Sequence, residues 1–242
     1  MITAIVLTKN EEGSIEKCLK SLAWCDEIII MDDYSTDATL TIAQKYTKNI
    51  YKRGVNGDYS SQRNYALRYA KNNWVLFIDA DEWVGNNLRK EIQSSLKITK
   101  NVNGFYFKRR DYFLGKWLNY GETSYVKLLR LGEKDSGKWK GKVHEVWDIE
   151  GITQNFSNPL FHHSHESVEE FLEKINYYSD ISSYEKIQNG IKVSKVNIIF
   201  YPAGKFVQNY LFRRGFLDGI QGLILALMMS FHSFLVRSKT YI

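Results

Sequence analysis

Proline is scarce, with two residues in 242, and so is cysteine, also with two. No Pro-, Ser- or Gly-rich tract marks a linker, and no segment recurs at solenoid spacing. Cys18 and Cys25 offer neither a metal-ligand spacing nor a disulfide framework, which suits a reducing, cytoplasmic compartment. The N-terminus runs straight into the apolar stretch Ile2–Leu7 with no basic lead and no signal-like core, so export is not expected. Zinc-finger spacing and basic-aromatic RNA motifs are missing too, which sets nucleic acid aside as a partner.

What is present is ordinary globular material, 44% hydrophobic and 25% charged, in a chain long enough to bury one sizeable core. The formal net charge is +6. The excess is dispersed, with Arg109-Arg110 and Arg213-Arg214 the adjacent arginine pairs. A modest scattered excess suits nucleotide phosphates or an anionic membrane surface.

The first hundred residues alternate strand and helix. Ile2–Leu7, Glu27–Met31 and Trp74–Ile78 are continuous apolar runs, as strands buried on both faces require, and a short strand is expected near Ile50. Helices are expected from Ser14, with Ile15, Cys18, Leu19 and Leu22 on one face, over Ala38–Tyr46 after Asp37, and over about Ser60 to Lys71. This alternation predicts a largely parallel α/β sheet flanked by helices. Phe105–Lys108 suits a further strand, Asp111–Val143 reads as strands and aromatic loops, and Ser167 caps a helix running to Tyr178. Phe206–Val236 reads as helical.

Open α/β sheets bind ligands at the carboxyl ends of their strands. Three expected strand ends are polar: Thr8-Lys9-Asn10-Glu11, Asp32-Asp33, and Asp79-Ala80-Asp81-Glu82. Two carboxylates one residue apart suit a divalent cation, and hard oxygen ligands favour Mg²⁺ or Mn²⁺. Taken alone, Asp79 and Asp81 read rather as a turn or a helix cap; their position after the buried run Trp74–Ile78, beside a second acidic strand end, favours a site. Asp32 or Asp33 can accept hydrogen bonds from a base or ribose, while Asp37 reads as a cap.

The ordered motifs Thr8–Glu12, Asp32–Asp37, Gln62–Ala66 and Phe77–Glu82 together resemble those of family 2 glycosyltransferases. Leu129-Arg130-Leu131, Val143-His144-Glu145, His162 and Arg214–Gly219 resemble the bacterial lipopolysaccharide core glucosyltransferase-like branch. The resemblance spans nearly the whole chain. It implies a GT-A (Rossmann-like) fold: a catalytic domain over 1–165, with a mostly parallel sheet flanked by helices, then a helical C-terminal extension over 166–242. It also implies inverting transfer from a nucleotide-sugar donor, UDP-linked, to a glycan or lipid-linked glycan acceptor. Thr8, Asn10, Glu11, Asp32, Asp33, Arg63 and Asp79 fall on the nucleotide-sugar positions, with Arg130 a candidate for phosphate or acceptor contact. Asp81 and His162 fall on the metal positions, for Mn²⁺ or Mg²⁺. Glu145 takes the place of the catalytic base beside Asp81, and Val143, Val146 and Trp147 suggest an apolar wall that would raise its pKa. Tyr34 stands where the family commonly has a small residue.

Two further readings compete with this one. Nucleotidyl transfer would want a glycine- and lysine-rich phosphate loop, and Lys9–Gly13 is a poor one. A receiver-like Mg²⁺ module would leave Gly104–Ile242 unexplained. The apolar stretch Phe216–Val236, flanked by Arg213-Arg214, Arg237 and Lys239, suggests peripheral contact with the inner face of the cell membrane through an interfacial helix.

Overall fold

A computed structural model describes residues 1–98, 101–142, 145–165 and 167–241. The chain forms two compact units, residues 1–109 with 127–163, and residues 110–126 with 164 onward. The second unit therefore takes in the 110–126 excursion as well as the C-terminal helices expected from the sequence.

The strands are β1 (Ile2–Thr8), β2 (Glu27–Asp32), β3 (Ile50–Lys52), β4 (Trp74–Asp79), β5 (Glu82–Trp83), β6 (Gly104–Phe113), β7 (Lys116–Trp117), β8 (Lys127–Glu133), β9 (Gly137–Lys140), β10 (Val146–Ile149), β11 (Thr153–Asn155) and β12 (Leu160–His163). The first unit's helices are α1 (Ile15–Ser21), α2 (Thr39–Ala43), α3 (Tyr59–Leu67) and α4 (Asn86–Ile98). Strand order in the main sheet is β3-β2-β1-β4-β8-β6-β12-β5. The first four are parallel, β8 then runs antiparallel to β4, and a separate antiparallel ribbon pairs β9 with β10. The sheet is thus mixed, with its parallel part at the N-terminal strands.

The apolar runs form the central strands because period-two alternation lets each serve two cores. On β1, Ala4 and Val6 face a cluster with Ile15 and Leu19 of α1, Leu22 just after it, and Leu88 and Ile92 of α4. Ile5 and Leu7 face the other side, toward Ala66 and Leu67 of α3 and Trp139 and Trp147 of the ribbon. β4 alternates likewise, Leu76 and Ile78 to the first cluster, Val75 and Phe77 to the second. Continuing the alternation turns Asp79 toward the α3 side, and this decides which residues it meets.

In the second unit, α5 (Val168–Gln188) and α7 (Ile220–Tyr241) pack around Phe113, Leu118, Phe171, Ile175, Leu225 and Met228, and α6 (Lys195–Val207) packs on α7. Ser167 caps α5 through its hydroxyl, as expected, but the helix continues ten residues past Tyr178 to Gln188. The single helical segment expected over Phe206–Val236 is broken instead. A π-helical turn at Gln208–Phe212, a left-handed Arg214 (φ 57°) and a 3₁₀ turn at Gly215–Asp218 reverse the chain. A Cβ on Gly222 would lie 1.9 Å from the Gly215 carbonyl oxygen, so the reversal closes only with glycine there. Asp218 is buried and accepts from the backbone amides of Asn119 and Tyr120, a demand that helical periodicity does not reveal.

Candidate active site

Asp79 leaves the end of β4 with both carboxylate oxygens engaged. Arg63 Nη2 donates to Oδ1 at 2.9 Å and Arg130 Nη2 to Oδ2 at 2.6 Å. Burial alone would raise its pKa, but the Arg130 and Arg63 charges outweigh burial and hold it well below the usual carboxylate range. Arg63 is carried on α3, with its guanidinium 4.7 Å from the Trp139 ring and over Phe77. Trp139 stacks on Trp147, and both meet Phe77 edge-on, so an aromatic floor sets the height of the guanidinium.

Arg63 Nε donates to Glu145 Oε1 at 2.8 Å. One guanidinium thus joins the carboxylate at the end of β4 to the carboxylate just ahead of β10. The sequence places an apolar wall around Glu145. Instead, Val146 is exposed, Trp147 is buried in the core, and the carboxylate meets a cation. Val143 and His144 lie outside the described residues. The β9–β10 ribbon that leads from Glu145 is tightly closed, since a Cβ on Gly137 would lie 2.1 Å from the Asp148 carbonyl oxygen. Gly137→Ala is expected to destabilise the first unit by roughly 1–3 kcal/mol in urea unfolding, because the opposing atom is backbone and cannot step aside.

Arg130 reaches Asp79 through a β-bulge. In the β6–β8 pairing Phe105 lies opposite Leu131 and Tyr106 opposite Leu129, so Arg130 is the unpaired extra residue. Its neighbours consequently fall in opposite cores, Leu129 on the α3 side and Leu131 on the other. Arg130 is buried, and besides Asp79 it lies 3.5 Å from Glu82 Oε1. The ion pairs of Arg130 are therefore buried rather than on the surface. Burial raises the Glu82 carboxyl above its ordinary range, Arg130 opposing this and Asp79 adding to it. Glu82 Oε2 also accepts from the Asp79 amide at 3.0 Å, fixing the turn. Glu82 stood inside the acidic motif without an assigned role; its burial is what reveals one.

Asp81 and His162 meet at the next turn, His162 Nε2 lying 3.2 Å from Asp81 Oδ2. The β5–β12 pairing that puts His162 opposite Glu82 creates this approach. The nearby His163 and His165 make separate contacts, the amide of His163 to the Asp81 carbonyl and the ring of His165 on Phe171.

The other expected residues sit at the ends of β1 and β2. Asp32 is fully buried and accepts from the amide and hydroxyl of Ser35, while Asn10 Oδ1 accepts from the amide of Thr36. Asp37 binds the amides of Glu12 and Thr39. Glu11 Oε2 receives the Ser14 hydroxyl. Asn10, Glu11 and Asp32 therefore shape the loops. Asp33, held between Lys9 Nζ and the Val55 amide, borders an open cleft of about 450 Å³ lined by Tyr34, Arg53, Val55, Asp58, Ser61 and Tyr65 among others. Tyr34 adopts φ 55°, the left-handed conformation that favours glycine, and presents an exposed ring to this cleft. Arg53 lies over the Tyr65 ring at 4.3 Å. Thr8 Oγ1 and Arg63 Nη1 are buried without a hydrogen-bond partner among the described residues.

Residues 3–148 match the family model described as glycosyl transferase family 2. The chain belongs to that family. The glycosyltransferase is 30% identical over 99% of its length to the lipopolysaccharide core biosynthesis glycosyltransferase LpsC of Rhizobium meliloti (strain 1021), covering 92% of that protein. Among solved structures it is similar to S. aureus TarS residues 1–349 in complex with UDP-GlcNAc, with TM-score 0.52, 17% identity, and coverage of 99% and 90% of the two chains. It is also similar to glucosyl-3-phosphoglycerate synthase from Mycobacterium tuberculosis in complex with Mn²⁺, UDP and glucosyl-3-phosphoglycerate, with TM-score 0.51, 16% identity, and coverage of 70% and 74%. The glycosyltransferase shares the GT-A fold with these structures.

Proposed function

We propose that this glycosyltransferase moves a sugar from a nucleotide-sugar, UDP-linked, to a hydroxyl of a glycan or lipid-linked glycan, with inversion at the anomeric carbon. The observation that carries the reading is Arg63, which binds Asp79 with one nitrogen and Glu145 with another. A donor-side carboxylate and a second carboxylate are thereby held in one frame. Names of relatives support the substrate class: LpsC is a lipopolysaccharide core enzyme, and TarS was crystallised with UDP-GlcNAc.

In a single displacement the acceptor oxygen bonds to the anomeric carbon as that carbon's bond to the diphosphate breaks. Glu145 takes the acceptor's proton, so the nucleophile never carries a full charge. The cleft bordered by Asp33 and Tyr34 has the volume of a small-molecule site and receives the nucleoside. Arg63 Nη1, without a partner among the described residues, is a donor for the diphosphate.

A divalent cation fits the remaining side chains. Asp79 has both oxygens on arginines, which leaves the Asp81 carboxylate and the His162 imidazole as the ligand pair. Among the described residues no group of three or more such side chains is gathered for a metal, so Asp81 and His162 would hold the cation together with oxygens from outside the protein. An imidazole in the set favours Mn²⁺ over Mg²⁺. The cation supplies positive charge that makes the nucleoside diphosphate a competent leaving group.

Titration calorimetry of UDP with and without Mn²⁺ tests this assignment. The wild type should bind at least about tenfold more tightly with the metal, and Asp81→Asn should erase the difference, a loss of about 1.4 kcal/mol or more. Metal-independent binding of equal strength would remove Asp81 and His162 from the donor site.

A further inference from the structure

The C-terminal helices carry an apolar face that the glycosyl-transfer reading does not use. On α7, Ile220, Leu227, Phe231 and Phe234 are exposed, at spacings of seven, four and three, which is one stripe along the helix. On α6, Val196, Ile199, Phe200 and Val207 are exposed, with Phe200 68% accessible. The two helices pack on each other, the Ser230 hydroxyl of α7 donating to the Pro202 carbonyl of α6 at 2.8 Å. The turn joining them presents Phe212, 78% accessible, together with Phe216 and Leu217.

Charge accompanies this face. From Lys186 onward the chain has eight lysines and arginines against one acid, Asp218, and that acid is buried. Lys205 and Lys239 are paired with Glu122 and Asp180, whereas Lys192, Lys195 and Arg214 stand exposed. Arg214 occupies the left-handed position in the turn, between Phe212 and Phe216 in sequence. Exposed phenylalanines interleaved with exposed cations match the two layers of an anionic lipid surface, acyl boundary and headgroup phosphate.

We propose that the α6–α7 face lies in the plane of an anionic phospholipid bilayer, with Phe212, Phe216 and Leu217 at the acyl boundary and Arg214 among the headgroups. By length and composition α7 could cross a bilayer. Its packing argues for lying flat. Lys239 near its end binds Asn176 and Asp180 of α5, so α5 travels with α7. A spanning α7 would carry the exposed Glu169, Glu173 and Asp180 into hydrocarbon, an expense that an in-plane helix avoids. The inference stands apart from the donor-site assignment and is tested without any sugar nucleotide.

The full chain is sedimented with vesicles of phosphatidylcholine alone and of phosphatidylcholine with an equal part of phosphatidylglycerol. Binding to the mixed vesicles, weakened by salt, is expected, with little to phosphatidylcholine alone. The double substitution Phe212→Ser/Phe216→Ser should lower the partition coefficient by at least about tenfold. Arg214→Gly, compatible with the left-handed backbone, should weaken binding to the mixed vesicles; circular dichroism checks that both variants are folded. Alkaline carbonate should release the bound wild type. Wild-type protein left in the supernatant, unchanged binding by folded Phe212→Ser/Phe216→Ser, or resistance to carbonate would each overturn the proposal. So would a self-associated species in sedimentation velocity that this double variant abolishes, since a second copy would then cover the face.

Discussion

Glu145→Gln is expected to lower the turnover number by about 10³-fold while leaving the affinity for UDP within about twofold of wild type. The glutamine keeps an oxygen for Arg63 Nε, so the 2.8 Å contact and the position of Arg63 against Asp79 survive the substitution. What is lost is the ability to accept a proton, and general-base contributions typically lie between about 10² and 10⁴. Single-turnover transfer with donor bound to saturation isolates this step from binding. Glu145→Ala is a harsher change, because it removes one of the two carboxylates facing Arg63, and it should also weaken donor affinity. Equal turnover in Glu145→Gln and wild type would show that another group takes the proton, leaving Glu145 only as a brace for Arg63.

The parallel strands were legible because each is a continuous apolar run ending in a polar residue, and β1, β2 and β4 each extend only one residue past the expected end. The helices were less so. α2 and α3 stop at Ala43 and Leu67, short of Tyr46 and Lys71, and the α6–α7 reversal was read as continuous helix. Such reversals depend on a tertiary demand, here the use of Asp218 to hold the Asn119 and Tyr120 amides. Within the site, motif order nominated Asp79, Asp81, Arg63, Arg130, Glu145 and His162, and the structure brings all six into contact networks. The partners were not legible. An arginine between two leucines gives no sign that a bulge will aim it at Asp79, nor does sequence spacing reveal that Trp139 will floor Arg63. Asn10, Glu11 and Asp32 carry the right chemistry to touch a nucleotide, and the bonds they make to local amides and hydroxyls were not legible either.

Asp79→Asn should destabilise the first unit by roughly 3 kcal/mol at neutral pH, toward the lower end of what breaking a buried ion pair removes. The lower end applies because the Asp79 side chain is 32% exposed, so water relieves part of the loss, whereas Arg63 and Arg130 are nearly inaccessible. An amide leaves both guanidiniums without their shared anion, and Arg130 keeps only the more distant Glu82. The pH dependence separates this mechanism from general damage. Asp79 has a depressed folded pKa, so its stabilisation is fully present above the unfolded value of about 3.9 and is lost as pH falls through the folded value. Glu82, raised by burial, acts in the opposite sense: it takes up its proton before an unfolded glutamate would, favouring the fold as pH falls toward about 4.3. Urea unfolding at a series of pH values should therefore show wild type losing stability steeply below about pH 4, and Asp79→Asn losing much less over the same interval. Parallel curves for the two proteins would mean that the Asp79 carboxylate contributes no net charge stabilisation, and that the arginines are held by their aromatic and peptide surroundings instead.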